Sequence, residues 1–345
     1  MHIVKFKSIE IENVRNIGYG EIEVFKEDFP EDVNSIIGIF GPNGTGKSSV
    51  IYALKSLRTF TIDSKVDLAS PPKPGSITYE ILVADQDGYD TITYKIVQYG
   101  KFQFKELLKL NGEILYDGYS DRTTALYKNS DREPINTLLN FVLKKLVILD
   151  GLSNYVYLDT AIIYPNHLET GYFNLDKLIN KETIDEKVLY DLTLYINSIG
   201  KITNKILGER LTISACGTKN YIVTLGGVPL IELSFGTRKL LQFLIYFVPA
   251  ASRSDFCLCI DEIDAGIYQP IIEELLELGN SIAAGQIWFT SHNLGLMNAI
   301  PRTSIFIGTP NPVNRFVTYS TDAITRPFEE SQILNDVYMA GGFYD

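Results

Sequence analysis

Eight consecutive residues, Gly41, Pro42, Asn43, Gly44, Thr45, Gly46, Lys47 and Ser48, carry the parts of a phosphate cradle. Glycines let successive backbone N–H groups turn inward where a side chain would collide with an anion. Lys47 adds a point charge for β- and γ-phosphates, and the Ser48 hydroxyl can ligate Mg²⁺. The spacing is G-x-x-x-x-G-K-[ST]. It follows an apolar run, Asn34–Phe40, and precedes helical spacing over Ser48–Thr59, so a helix N-terminus would add its dipole to the cradle. A glycine-rich turn with a solvated lysine is the bland alternative, and the strand–turn–helix context speaks against it.

Three further clusters could do chemistry with a bound triphosphate. Phe256–Ile260 is an apolar strand ending in Asp261 and Glu262. At the carboxyl end of a sheet, Asp261 can hold Mg²⁺ through water, and Glu262 can take a proton from the water that attacks the γ-phosphate. Acidic residues also cap strands before turns, so this pair gains meaning only beside the phosphate loop. Ser291-His292-Asn293 follows the strand Gln286–Thr290, where His292 is either a γ-phosphate sensor or a hydrogen-bonded structural residue. Ser234 and Gly236 open an apolar helix, Leu240–Pro249, and make either a second anion nest or an ordinary N-cap.

These residues need a sheet to position them. Residues 3–14 and 21–25 alternate as paired strands, with Asn16 and Gly18–Gly20 as the turn. Ile77–Asp85 and Asp90–Gln98 read as a hairpin, extended by Phe102–Phe104. From 105 to 210 the spacing is mainly helical, at Pro134–Leu146 and Leu175–Leu207, between tyrosine-rich stretches. Strands return at Leu211–Ala215 and Tyr221–Leu225, and helix and strand alternate through Ile307 in the manner of a parallel α/β sheet. The expected organisation is a lobe at 1–104, a helical insertion at 105–210 and a second lobe at 211–345.

Composition narrows the function classes. The chain has 345 residues, 45% hydrophobic and 21% charged, which is globular rather than disordered. No apolar stretch approaches the ~20 residues of a membrane helix, and no signal peptide is visible. Three cysteines without CxxC spacing and three histidines argue for reduced core thiols in the cytoplasm and against a multi-histidine metal site. A net charge of −11 disfavours a protein that coats nucleic acid.

The order phosphate loop, Ser-x-Gly, acidic strand, histidine resembles the ATP-binding-cassette ATPases, specifically the soluble SMC/RecF-like head. Asn13-Val14-Arg15-Asn16 is similar to that group's N-terminal stretch near the nucleotide. Ser234-Phe235-Gly236-Thr237, the run from Cys259 to Ile267, Gln286–Asn293 and the tail Asp336–Tyr344 resemble short prokaryotic AAA family ATPases, which include OLD proteins and ATPases of phage-defence and abortive-infection operons. The insertion is too short for a long coiled coil, no nuclease domain like that of OLD proteins is expected, and Gln86 and Gln98 are weak candidates for the glutamine-loop residue.

The resemblance implies an α/β P-loop NTPase of ABC/SMC-head type that binds and hydrolyses Mg·ATP. Arg15, Asn16, residues 41–49, Ser234 and Gly236 would bind nucleotide; Ser48 and Asp261 would hold Mg²⁺; Glu262, His292 and Lys47 would be catalytic. It also implies a homodimer or higher oligomer in which Ser234 and Gly236 of one subunit reach the nucleotide on Lys47 of the other. The expected role is a switch subunit of a defence or toxin-type system acting on a separate nuclease or toxin; a RecF-like DNA-repair head is the alternative.

Overall fold

The computed structural model describes residues 2–25, 35–68, 73–86, 88–121, 123–149, 161–162, 171–172, 184–185, 189–216 and 220–318. Its strands are β1 (Ile3–Val14), β2 (Ile17–Glu23), β3 (Ile36–Phe40), β4 (Gly75–Ala84), β5 (Tyr89–Gly100), β6 (Gln103–Leu110), β7 (Glu113–Tyr119) and β8 (Leu146–Leu149) in the first half. Two-residue pieces follow at β9 (Ala161–Ile162), β10 (Gly171–Tyr172) and β11 (Ile184–Asp185). The remainder are β12 (Leu211–Cys216), β13 (Asn220–Leu225), β14 (Val228–Pro229), β15 (Cys257–Ile260), β16 (Gln286–Ser291), β17 (Ile305–Gly308) and β18 (Phe316–Thr318). The helices are α1 (Lys47–Asp63), α2 (Ala125–Lys128), α3 (Glu133–Lys144), α4 (Leu189–Leu207), α5 (Phe235–Ser252) and α6 (Gln269–Ile282).

The central sheet has the order β18-β17-β3-β16-β15-β8, parallel throughout except for β18. Its strands are short and buried on both faces, so their apolar residues divide by the period of two. Ile37, Ile39, Cys257, Cys259 and Trp288 join one core with α1, α3 and the antiparallel sheet β2-β1-β4-β5-β6-β7. Ile36, Phe40, Leu258, Ile260, Ile287 and Phe289 join the other with α5 and α6. Cys257 and Cys259 share a face as the spacing predicts, both buried, with their Sγ atoms 3.8 Å apart. No helix among the described residues is long and apolar enough to cross a membrane.

Several expectations change. The turn between β1 and β2 is tighter than predicted: Asn13 and Arg15 take positive φ, and Gly18 and Gly20 lie within β2. A Cβ on Gly18 would stand 2.8 Å from the Pro312 carbonyl, which explains glycine inside a strand. The helical reading from 105 fails at both ends of the first 45 residues. β6 and β7 extend the antiparallel sheet, and β8 enters the central sheet beside β15. The alternation of β6 is interrupted by Glu106, a fully buried carboxylate where the strand period calls for an apolar residue. It accepts hydrogen bonds from the Tyr94 and Ser120 hydroxyls and the Ala125 N–H. α3 lies within two residues of its predicted limits, α1 runs four residues past its predicted end, and α5 starts five residues before its predicted start, directly after Ser234. Of the predicted helix 175–207, residues 189–207 are helical; the rest, except Ile184–Asp185, and the tail Asp336–Tyr344 lie outside the described residues.

The two large sheets are joined by a buried amide. Gln286 Nε2 donates to the Phe6 carbonyl at 3.0 Å, and its Oε1 accepts from the Phe6 N–H at 2.7 Å. The side chain thus acts as a strand partner where β1 shifts register between Phe6 and Ser8. The Phe6 ring packs edge-on against Trp288, centroids 6.1 Å apart. Gln286→Leu would leave two buried backbone groups unpaired, each costing about 1–3 kcal/mol. Urea unfolding should show a lowered midpoint with an unchanged slope; an unaltered midpoint would remove this clamp from the account.

Candidate functional site

Register puts the chemistry at one edge. Phe40 of β3 pairs with Ser291 of β16, and Ile260 of β15 pairs with Phe289 of β16. Continuing each strand by one residue sets Gly41 level with His292 and Asp261 level with Thr290. The phosphate loop, the acidic pair and the histidine therefore meet at the carboxyl end of three adjacent parallel strands, the expected place for a ligand in an α/β sheet.

The loop has the backbone its glycines were expected to supply: Gly41, Gly44 and Gly46 take φ of 135°, 83° and 87°. A Cβ on Gly41 would lie 2.8 Å from the Gly308 carbonyl, so glycine is also a packing requirement there. Gly46 stands at the N-cap of α1, whose first residues are Lys47, Ser48 and Ser49. Asn43 and Gly44 are exposed; Thr45 is buried, with its hydroxyl donating to the Pro42 carbonyl at 2.9 Å. The Lys47 ammonium donates to the Gly41 and Pro42 carbonyls, both at 2.8 Å, and lies 3.3 Å from His292 Nδ1. Burial pulls its pKa down, opposed by the charges of Asp261, Glu262 and Asp264.

The Ser48 hydroxyl donates to Asp261 Oδ1 at 3.0 Å. Two hard oxygens on one side of a phosphate loop fit a divalent cation such as Mg²⁺. Glu262 follows with φ of 52°, in the left-handed region, and its Oε1 is 3.9 Å from His292 Nε2. Lys47, Ser48, Asp261, Glu262 and His292 thus form one continuous constellation.

From the β1–β2 turn, Asn16 reaches the same loop and Arg15 reaches α1 behind it. Asn16 Nδ2 donates to the Gly44 carbonyl at 2.5 Å, and Asn16 Oδ1 accepts from the Ser49 hydroxyl at 2.9 Å. The Arg15 guanidinium stacks on Tyr52 of α1, 3.7 Å from the ring centroid. The turn is anchored from below by Arg315, which the sequence reading did not single out. Its guanidinium donates to the Asn16 carbonyl and to the carbonyls of Thr309 and Pro310. No local signal marks Arg315, because its key contact spans 299 residues.

Ser234 and Gly236 stand apart from this cluster. Ser234 caps α5, accepting from the Thr237 N–H at 3.2 Å, and among the described residues no hydrogen bond joins it to residues 41–48. Gly236 abuts the loop after Glu262: a Cβ there would lie 2.5 Å from the Gly266 carbonyl. The Lys239 ammonium donates to the Ala265 carbonyl of the same loop. Neither glutamine candidate reaches the constellation. Gln86 is exposed in the β4–β5 turn, and the Gln98 amide binds the Leu68 N–H and the Gly100 carbonyl.

Comparison with known proteins agrees with this architecture. Residues 163–298 match the profile of the family described as "AAA domain, putative AbiEii toxin, Type IV TA system", a span that holds Ser234, Asp261, Glu262 and His292. A search of curated proteins found no match. Among solved structures, the chain is similar to an SMC head bound to the C-winged helix domain of ScpA, at 14% identity and a TM-score of 0.56, covering 92% of this chain and 98% of that one. The SMC head domain from Thermotoga maritima matches at 17% identity and 0.50, covering 92% and 100%. A Smc head with an extended coiled coil bound to the C-terminal domain of ScpA, derived from Pyrococcus furiosus, matches at 12% and 0.51, covering 97% and 100%. These likenesses show the fold, which is that of an ABC/SMC-type head.

Asn16 offers a direct check on the site. Asn16→Ala removes both bonds to the loop while leaving β1 and β2 paired. ATP affinity, read by titration calorimetry, should fall about three- to thirtyfold, the worth of one or two net hydrogen bonds. Unchanged affinity would separate this turn from the nucleotide.

Proposed function

We propose that this chain is an ATP-driven switch: it binds Mg·ATP between two copies of itself and hydrolyses it slowly. The observation that carries the reading is the convergence of Lys47, Ser48, Asp261, Glu262 and His292 at one sheet edge, while among the described residues Ser234 bonds within the first turn of its own helix and Gly236 packs against the Gly266 carbonyl. A chain with one complete half-site and one outlying anion nest completes the site by pairing with a second copy.

Two features of the outlying nest support that role. The first turn of α5 holds no acidic residue and instead carries Arg238, followed by Lys239, against the positive end of the helix dipole. A γ-phosphate from the partner's nucleotide would offset this repulsion. Phe235 and Tyr268 stand beside the nest 56% and 72% exposed, an apolar surface of the kind interfaces bury.

In hydrolysis, the loop N–H groups and Lys47 orient the phosphates, and the metal between Ser48 and Asp261 would neutralise charge on the β- and γ-oxygens. Glu262 is placed to take the proton from the attacking water. His292, between Lys47 and Glu262, is placed to sense the γ-phosphate. ATP that binds only the closed pair stabilises it, and hydrolysis releases that stabilisation.

The process under control, on this reading, is a defence or toxin-type response, with a separate effector docked on the middle of the chain. The likeness of residues 163–298 to a family described as a putative toxin of a type IV system supports this class. The tyrosines that suggested a docking surface, Tyr155, Tyr157, Tyr164, Tyr172, Tyr190 and Tyr195, have side chains outside the described residues. Strands β6, β7 and β8 belong to the two sheets, so a deletion testing the insertion must spare residues 103–149.

Glu262→Gln should keep ATP affinity and lose at least about a hundredfold in kcat, because the amide keeps the shape without the basic oxygen. Hydrolysis at the wild-type rate would remove Glu262 as the base. Ser234→Arg and Lys47→Ala should each abolish turnover alone, and mixing the two should restore one working site per heterodimer. Heterodimers that form but stay inactive would refute the shared site.

A further inference from the structure

We propose that Thr290, on the strand between the phosphate loop and the acidic pair, is a positioning residue that fixes Asp261 and Glu262 together. Its hydroxyl donates to Asp261 Oδ1 at 2.5 Å and accepts from the Glu262 N–H at 2.8 Å. Its carbonyl accepts from the Ile263 N–H at 3.0 Å. One fully buried residue therefore holds three successive residues of the neighbouring segment.

The chain needs this because the ladder between β15 and β16 stops at Ile260 and Phe289. One step further on, Glu262 turns into the left-handed region, which non-glycine residues adopt only when the surroundings determine it. An ordinary ladder cannot follow that turn. The Thr290 hydroxyl replaces the missing ladder bond and catches the Glu262 N–H at the turn. Its single proton is then committed to Asp261. Asp261 Oδ1 receives both Thr290 and Ser48, whereas Oδ2 receives no hydrogen bond among the described residues. The carboxylate is thus oriented by one oxygen and keeps the other for the metal side.

Valine has nearly the same shape as threonine and suits a buried strand at least as well. The hydroxyl is therefore the part that packing alone does not explain. His292 lies two residues further along the same chain segment, so Thr290 also ties the histidine's strand to the acidic pair.

The inference rests on the reading of Glu262 as base and Asp261 as metal-side carboxylate, and its test separates the two. Thr290→Val and Thr290→Ser would be compared with the wild type in full-length protein for kcat, ATP affinity, thermal midpoint and the Mg²⁺ concentration giving half-maximal ATP binding. Misplacing the base should lower kcat of Thr290→Val about ten- to a hundredfold at nearly constant ATP affinity. The Mg²⁺ half-point should rise severalfold, and Thr290→Ser should restore both. If Thr290→Val does not fold, Thr290→Ala takes its place. Wild-type kcat and Mg²⁺ half-point in the hydroxyl-free variant would overturn the proposal, as would a serine variant as impaired as the valine one. A wild type that binds but does not hydrolyse ATP would count against turnover itself; the Mg²⁺ half-point would then decide Thr290's role alone.

Discussion

Everything at the site follows from the parallel register of β3, β16 and β15. Parallel strands end at the same edge, and the pairing of Phe40 with Ser291 and of Ile260 with Phe289 fixes which residues arrive there together. A slip of one residue in β16 would turn Trp288 toward α5 and α6, away from Phe6, and would take Thr290 away from Asp261. The two cores enforce the register from both sides, since alternate residues of each strand belong to different hydrophobic clusters.

Charge is managed within that frame. Lys47 is buried enough that desolvation lowers its pKa, yet two loop carbonyls hold it and three nearby carboxylates oppose the shift. Lys239 lies in a similar balance with Glu262 and Asp264 while its ammonium binds the Ala265 carbonyl. Each acidic residue of the Asp261–Asp264 segment thus feels a lysine, one from the phosphate loop and one from α5. The loop that carries them also packs against the first turn of α5, where Gly236 abuts the Gly266 carbonyl.

Much of this was legible in the sequence where the determinants are local. The phosphate loop, the start of α1, the cap at Ser234 and the acid pair after β15 each depend on a few neighbouring residues. The fold class was legible for the same reason, from motif order and alternation. What depends on distant partners was not. β6 and β7 were hidden by the buried Glu106, and Leu146, the first residue of the four-residue β8, read as the end of the preceding helix. Arg315 and Thr290 carry no local mark, because their meaning lies in contacts 299 and 29 residues away.

The central claim is that a second copy of the chain completes the site. The most direct measurement is the mass in solution of the Glu262→Gln protein, by light scattering, with and without Mg·ATP. The account predicts one chain's mass of 38.8 kDa without nucleotide and twice that with Mg·ATP. It also predicts no doubling when Ser234→Arg is added to the same chain. A protein that binds Mg·ATP stoichiometrically and keeps one mass in both conditions would contradict it.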